Sequence, residues 1–161
     1  MLYPHFYYDS IFQIPYEQLY AKGVRGLIYD IDNTLACHAD KLPPENVVAL
    51  IERLHKMGFQ VALFSNNSAR RLRTFNETMK LPGVSRAGKP FTASLRRLMV
   101  DMNITTPQTV IIGDQLFADV WCGLRAGVTT ILVKPISDKE VITVKAKRGL
   151  ERWMLKRYQS Q

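Results

Sequence analysis

The chain has 161 residues, with 22 Lys and Arg against 14 Asp and Glu, a formal net charge of +8 and a pI near 9.7. Hydrophobic residues make up 47% and charged residues 22%, which argues against wholesale disorder; the length suits one domain, expected over residues 1–161. No apolar run approaches the roughly 18–20 residues of a membrane-spanning helix, and the positive charge leaves nucleic acid, acidic lipid and phosphorylated substrates as candidate partners.

The N-terminal stretch Met1-Leu2-Tyr3-Pro4-His5-Phe6 has neither a basic nor a long apolar region and does not read as a secretory signal. Cys37 and Cys122 form no CxxC pair, so reduced thiols in a cytosolic chain are expected. Gly26 to Asp30 reads as a buried strand. Pro44 to Met57 reads as a helix, with Pro44 in its first turn, Gly58 at its end and Val47, Ile51 and Leu54 on its inner face. Gln60 to Phe64 is the next strand, and Ser68 caps a helix carrying Leu72, Phe75 and Met79 inward. A short extended piece lies near Val84, followed by a helix from about Phe91 to Met102. Thr109 to Ile112 is a strand, Leu116 to Ala126 a helix stopped by Gly127, and Thr130 to Val133 the last clear strand.

Strands apolar throughout and alternating with helices predict a three-layer, Rossmann-like α/β domain with a mainly parallel sheet. In such sheets ligands bind beyond the carboxyl ends of the strands. The chemistry-bearing residues cluster there: Asp30 and Asp32 after the first strand, Ser65-Asn66-Asn67 after the second, Lys89 after the third, and Asp114 and Asp119 after the fourth.

Carboxylates converging on one crevice repel each other and lose hydration, so they need a cation. Oxygen ligands without His or Cys favour Mg²⁺ over Zn²⁺. Such an ion is held by one or two carboxylates plus a substrate phosphate, which leaves an Asp free to attack phosphorus. Lys89 would offset charge on the transferring group, and Ser65 with nearby backbone N–H groups would hold phosphoryl oxygens.

The set Asp30-Ile31-Asp32-Asn33-Thr34-Leu35, Ser65-Asn66-Asn67, Lys89-Pro90 and Gly113-Asp114 to Asp119 resembles the four motifs of the haloacid dehalogenase (HAD) superfamily. Within its phosphatases the chain is similar to the YqeG-type, IIIA-class proteins, which are related to mitochondrial phosphatidylglycerophosphate phosphatases. The likeness runs from about Ala21 to Pro135. It implies an Mg²⁺-dependent phosphomonoester hydrolase with Asp30 as nucleophile and Asp32 as general acid and then base. It also implies Ser65 and Asn66 at the phosphate and Lys89 stabilising the intermediate. Asp30, the backbone carbonyl of Asp32, and Asp114 would hold the metal, with Asp119 supporting the metal shell or orienting Lys89.

Asp32 to Val61 leaves room for one loop and one helix, and Ser65 to Lys89 for one helix and a turn, so no cap domain is expected. An open pocket admits a phosphate carried on a large body, such as a lipid headgroup. Tyr3, Phe6, Tyr7, Tyr8, Phe12, Tyr16 and Tyr20 suit either a membrane interface or packing over the sheet edge. The basic segment 138–161 suits either peripheral contact with anionic lipid, at about 1 kcal/mol per Lys or Arg, or docking on the core. Arg70, Arg71 and Arg73 follow the second motif, where cations oppose the helix dipole; a solvated face is the common explanation, and an anionic contact is the other. His38 reads as a solvated loop residue and Cys37 as a packing residue. Two rivals stand beside the phosphatase: a phosphoacceptor receiver domain, disfavoured by Ser65 at the middle strand, and a binding partner of a nucleic-acid or ribosome-linked assembly.

Overall fold

In the computed structural model the described residues are 2–137 together with 149, 152 and 156; all but these last three positions of the basic segment 138–161 lie outside the description. Six strands form one sheet in the order β1-β6-β5-β2-β3-β4. They are β1 (Phe6–Tyr8), β2 (Gly26–Tyr29), β3 (Gln60–Phe64), β4 (Gly83–Val84), β5 (Thr109–Gly113) and β6 (Thr129–Val133). Every neighbouring pair is parallel. β2 sits centrally, with Ile28 opposite Ala62 on one side and Ile111 on the other. The strand order reverses across β2, so the crevice at its carboxyl end is the natural ligand site.

The strands carry apolar residues on both faces because helices cover both. Leu27, Tyr29, Val61, Leu63, Val110 and Ile112 point to the face covered by α1 (Tyr16–Ala21), α2 (Glu45–Met57) and α3 (Ala69–Asn76). Ile28, Ala62, Phe64 and Ile111 point to the face covered by α4 (Ala93–Asp101) and α5 (Trp121–Ala126). The result is the expected three-layer α/β architecture. Between β2 and β3 the chain has one loop and α2, and between β3 and β4 it has α3 and a turn; no cap is inserted among the described residues.

Local chemistry sets the element ends. Pro44 precedes α2, and Gly58 closes it at φ 100°, a left-handed conformation that glycine adopts without a Cβ penalty. The Ser68 side chain accepts from Arg71 N and caps α3. Two helices are shorter than the sequence predicts. α3 stops at Asn76, so Met79 packs against the core from the following turn. α4 begins at Ala93 rather than Phe91 because Gly88-Lys89-Pro90 is committed to a turn, with Phe91 N donating to Gly88 O. The predicted helix over 116–126 opens with a widened π-type turn, Leu116–Val120, before α5.

Part of the aromatic N-terminal segment packs on the sheet, while Phe6 and Phe12 stay exposed. β1 adds an edge strand beside β6, and Tyr16 is fully buried, its hydroxyl donating to Ile11 O (2.8 Å) and lying 2.6 Å from the Tyr29 hydroxyl. Burial raises both phenols above their ordinary range, so the pair stays neutral and stitches α1 to the central strand.

Candidate active site

Lys89 is the hub. Its Nζ donates to Asp30 Oδ1 (2.7 Å), Asp119 Oδ1 (2.6 Å) and Phe64 O (3.0 Å), which uses all three ammonium protons. Lys89 reaches this place because its backbone is clamped to the β3 loop. Lys89 N donates to Asn66 Oδ1 (2.9 Å), Asn66 Nδ2 returns to Lys89 O (3.3 Å), and Ala87 N donates to Ser65 O (3.0 Å). Asn66 thus serves the placement of Lys89.

Asp30, Asp114 and Asp119 each offer a carboxylate oxygen within 4.8 Å of the others, and all three are buried. Asp30 follows β2, and its N–H donates to Ile112 O (2.9 Å). Asp114 follows β5 and accepts from Thr34 Oγ1 at 3.5 Å. Asp119 comes from the π-type turn, and its Oδ2 accepts from Gln115 N (3.1 Å). Gly113 makes room for it: a Cβ there would lie 2.2 Å from Asp119 Cγ.

The electrostatics follow from burial. Burial is the largest influence on Asp30 and pushes its carboxyl up to about 7, against the pull of the Lys89 charge and with the repulsion of Asp119. Burial works against the Lys89 ammonium, but Asp119 and Asp30 outweigh it and hold the group cationic. Three carboxylates and one ammonium leave a formal charge of −2, which one divalent cation cancels. The donor set is all oxygen, with no His or Cys among the three, as a hard cation requires. The residues therefore fit such an ion.

Asp32 belongs to a second, shallower cluster. Its Oδ2 accepts from Asn67 Nδ2 (3.1 Å), and its Oδ1 from Arg71 Nη2 (3.0 Å) and Nε (3.2 Å). His38 Nδ1 lies 3.4 Å from the same Oδ1 and is largely exposed. Arg71 also donates to the carbonyls of Cys37 (3.4 Å), Lys41 (3.3 Å) and Asp40, so it straps the loop after β2 to α3. Of the three arginines at the helix start, Arg71 meets an anion, Asp32, while Arg70 and Arg73 are exposed. Ser65 is buried, and its Oγ accepts from Asn67 N (3.1 Å). Asn67, Thr34 and the Phe64 carbonyl were not assignable from sequence, because their roles depend on where neighbouring strands end.

Comparison with known proteins agrees with this geometry. A family model described as HAD-hydrolase-like matches residues 86–139. The chain is 33% identical over 152 residues to the probable phosphatase YqeG of Bacillus subtilis, covering 94% of this chain and 88% of that protein. It is 26% identical to phosphatidylglycerophosphate phosphatase 1 of Chlamydomonas reinhardtii and 26% identical to that of Arabidopsis thaliana, spanning 60% and 47% of their lengths. Among solved structures, cobalt-bound deoxy-D-mannose-octulosonate 8-phosphate phosphatase (YrbI) from Haemophilus influenzae aligns with a TM-score of 0.54 at 19% identity, covering 71% of this chain and 80% of that one. An uncharacterized protein from Listeria monocytogenes aligns at 0.57 and 14% identity, covering 73% and 85%; these two likenesses concern the fold. With the parallel sheet, the strand-end carboxylates and the near full-length match in view, the chain belongs to the HAD-like hydrolases, as a phosphatase of the YqeG type.

Proposed function

We propose that the protein is an Mg²⁺-dependent phosphomonoester hydrolase that works through an aspartyl-phosphate on Asp30, with phosphatidylglycerophosphate as its substrate. The observation that carries this reading is the buried group of Asp30, Asp114 and Asp119 around the Lys89 ammonium. Asp30, Asp114 and the backbone carbonyl of Asp32 would hold the ion, with Asp119 supporting them. When bound, the ion supplies positive charge that offsets the phosphoryl oxygens.

The protein's own residues do the rest. A carboxylate oxygen of Asp30 attacks phosphorus, and the bond from phosphorus to the ester oxygen breaks. Asp32 gives its proton to the departing alcohol. Asp32 then takes a proton from water as that water attacks phosphorus, and inorganic phosphate leaves with Asp30 restored. Ser65 and adjacent backbone N–H groups hold the phosphoryl oxygens, and Lys89 stabilises charge on the acylphosphate. The lipid assignment draws on the uncapped crevice, the net charge and the names of the two algal and plant relatives.

The test is phosphate release by purified protein from a panel containing phosphatidylglycerophosphate and soluble sugar phosphates, with Mg²⁺ and with EDTA. Release from the lipid that stops with EDTA is expected. Turnover of a sugar phosphate with none of the lipid rejects the lipid assignment, and activity of Asp30→Asn rejects the aspartyl-phosphate.

A further inference from the structure

Two large aromatic side chains stand exposed beside the mouth of the crevice. Phe91 is 67% exposed and Trp121 is 42% exposed. Phe91 lies in the loop between β4 and α4, two positions after Lys89, and Trp121 opens α5 directly after the turn that carries Asp119, so both backbones stand at the carboxyl end of the sheet. The rings belong to one built surface. The Arg125 guanidinium sits 5.6 Å from the Phe91 ring centre and 5.9 Å from that of Trp121. Arg125 Nη1 donates to Pro90 O (3.4 Å), and Cys122 Sγ to Phe91 O (3.4 Å), which ties the Lys89 loop to α5. Beside Trp121, an open groove of about 360 Å³ is lined by Leu2, Trp121, Leu124 and Arg125.

The segments that carry the two rings are basic. Residues 88–100 and 120–137 contain no Asp or Glu but include Arg96, Arg97 and Arg125; Lys134 lies in the same stretch and is paired with Asp9. Arg96 Nη2 donates to Arg125 O (3.4 Å), and among the described residues no carboxylate pairs with Arg96 or Arg125. Exposed Trp and Phe rings beside arginines match the headgroup zone of a bilayer, where rings reach the acyl boundary and guanidinium groups meet phosphates.

We infer that the rim of Phe91, Trp121 and Arg125 docks the protein on an anionic lipid bilayer with the crevice facing the headgroups. This deepens the lipid reading above and rests on it: a phosphate embedded in a membrane surface reaches an uncapped crevice only if the rim of that crevice touches the surface. Phe91 and Trp121 sink toward the acyl boundary, Arg125 and Arg96 neutralise anionic headgroups, and Asp30 and Lys89 are brought over the lipid phosphate.

The experiment is sedimentation of the full chain with vesicles of phosphatidylcholine alone or mixed equally with phosphatidylglycerol. The wild type is expected to sediment with the anionic vesicles. Phe91→Ser with Trp121→Ser is expected to lower that partition about tenfold while p-nitrophenyl phosphate hydrolysis stays unchanged, which also reports an intact fold. Arg125→Glu is the second variant, expected to lower partition in the same direction. Val100→Ser, which alters a 77% exposed residue near the far end of α4, is expected to change nothing. Equal partition of wild type and both rim variants overturns the proposal, and so does absence of wild-type binding to anionic vesicles. Detergent-dispersed phosphatidylglycerophosphate separates the two readings. Rim-dependent binding without phosphate release keeps the docking and removes the lipid substrate, whereas release without vesicle binding does the reverse.

Discussion

Arg71 grips Asp32 through two nitrogens on one oxygen, Nη2 at 3.0 Å and Nε at 3.2 Å. Both side chains are mostly shielded, at 12% and 18% exposure, so the pair is screened less than a surface ion pair. Arg71→Ala is expected to lower kcat, because it frees both the Asp32 carboxylate and the loop 37–41. It is also expected to cost about 1–2 kcal/mol of stability. Arg71→Lys keeps the charge but not the fork, so it should recover stability better than turnover. Steady-state kinetics beside urea unfolding separates the two effects; wild-type kcat in Arg71→Ala would detach Asp32 from this strap.

Lys89→Ala leaves Asp30 and Asp119 buried without their shared counterion. Breaking a buried pair in this way costs about 3–5 kcal/mol. Thermal unfolding in EDTA should show a large fall in melting temperature, with added Mg²⁺ raising it more in the variant than in the wild type. Phosphatase turnover should drop with it. A melting temperature unmoved in EDTA would contradict the hub role of Lys89.

The Asp30 carboxyl is raised to about 7, first by burial, and its unfolded counterpart titrates near 3.9. Well below pH 4, both states carry the proton. As pH rises from 4 to 7 the unfolded chain loses it while the folded protein keeps it, so the folded state loses stability relative to the unfolded one. Above 7 the loss levels off. In EDTA, the stability of the wild type relative to Asp30→Asn should therefore fall between pH 4 and 7, and at pH 8 the variant should melt no lower than the wild type. A gap that widens in favour of the wild type with rising pH would reverse the assigned direction.

Gly113→Ala places a Cβ 2.2 Å from Asp119 Cγ. Asp119 must then move off Lys89 or β5 must shift, and either outcome reduces turnover. The same change at Gly23 meets nothing within 4 Å, and its strain comes from the backbone at φ +93°. Gly113→Ala is therefore expected to impair kcat out of proportion to its loss of stability, whereas Gly23→Ala loses stability alone.

The strands at the heart of the sheet were legible because β2 and β5 are buried along their whole lengths and read as continuous apolar runs. The site was legible because Asp30, Ser65, Lys89 and Asp114 follow four strands that lie side by side. β1 was not, since Phe6–Tyr8 is three residues long and its pairing is fixed by β6, far along the chain. Neither was the separation of Asp30 from Asp32. Two positions apart on an extended chain, their side chains would share a face; only the fold, which turns the chain over Ile31–Ala36 and supplies Arg71 and Asn67, receives the second elsewhere. The π-type turn at Leu116–Val120 was equally hidden, because an apolar pattern sets which residues face inward and not how wide the turn is wound.

The pairing of β1 with β6 has a consequence for biosynthesis. His5 N meets Thr130 O across 125 positions, so β1 has no hydrogen-bonding neighbour in the sheet until β6, the last strand among the described residues, is made. The β2–β3–β5 centre is free to assemble first, and the edge closes afterwards. Slow, long-range closure of this kind leaves β1 unpaired and the β5 flank open on the nascent chain until β6 is made.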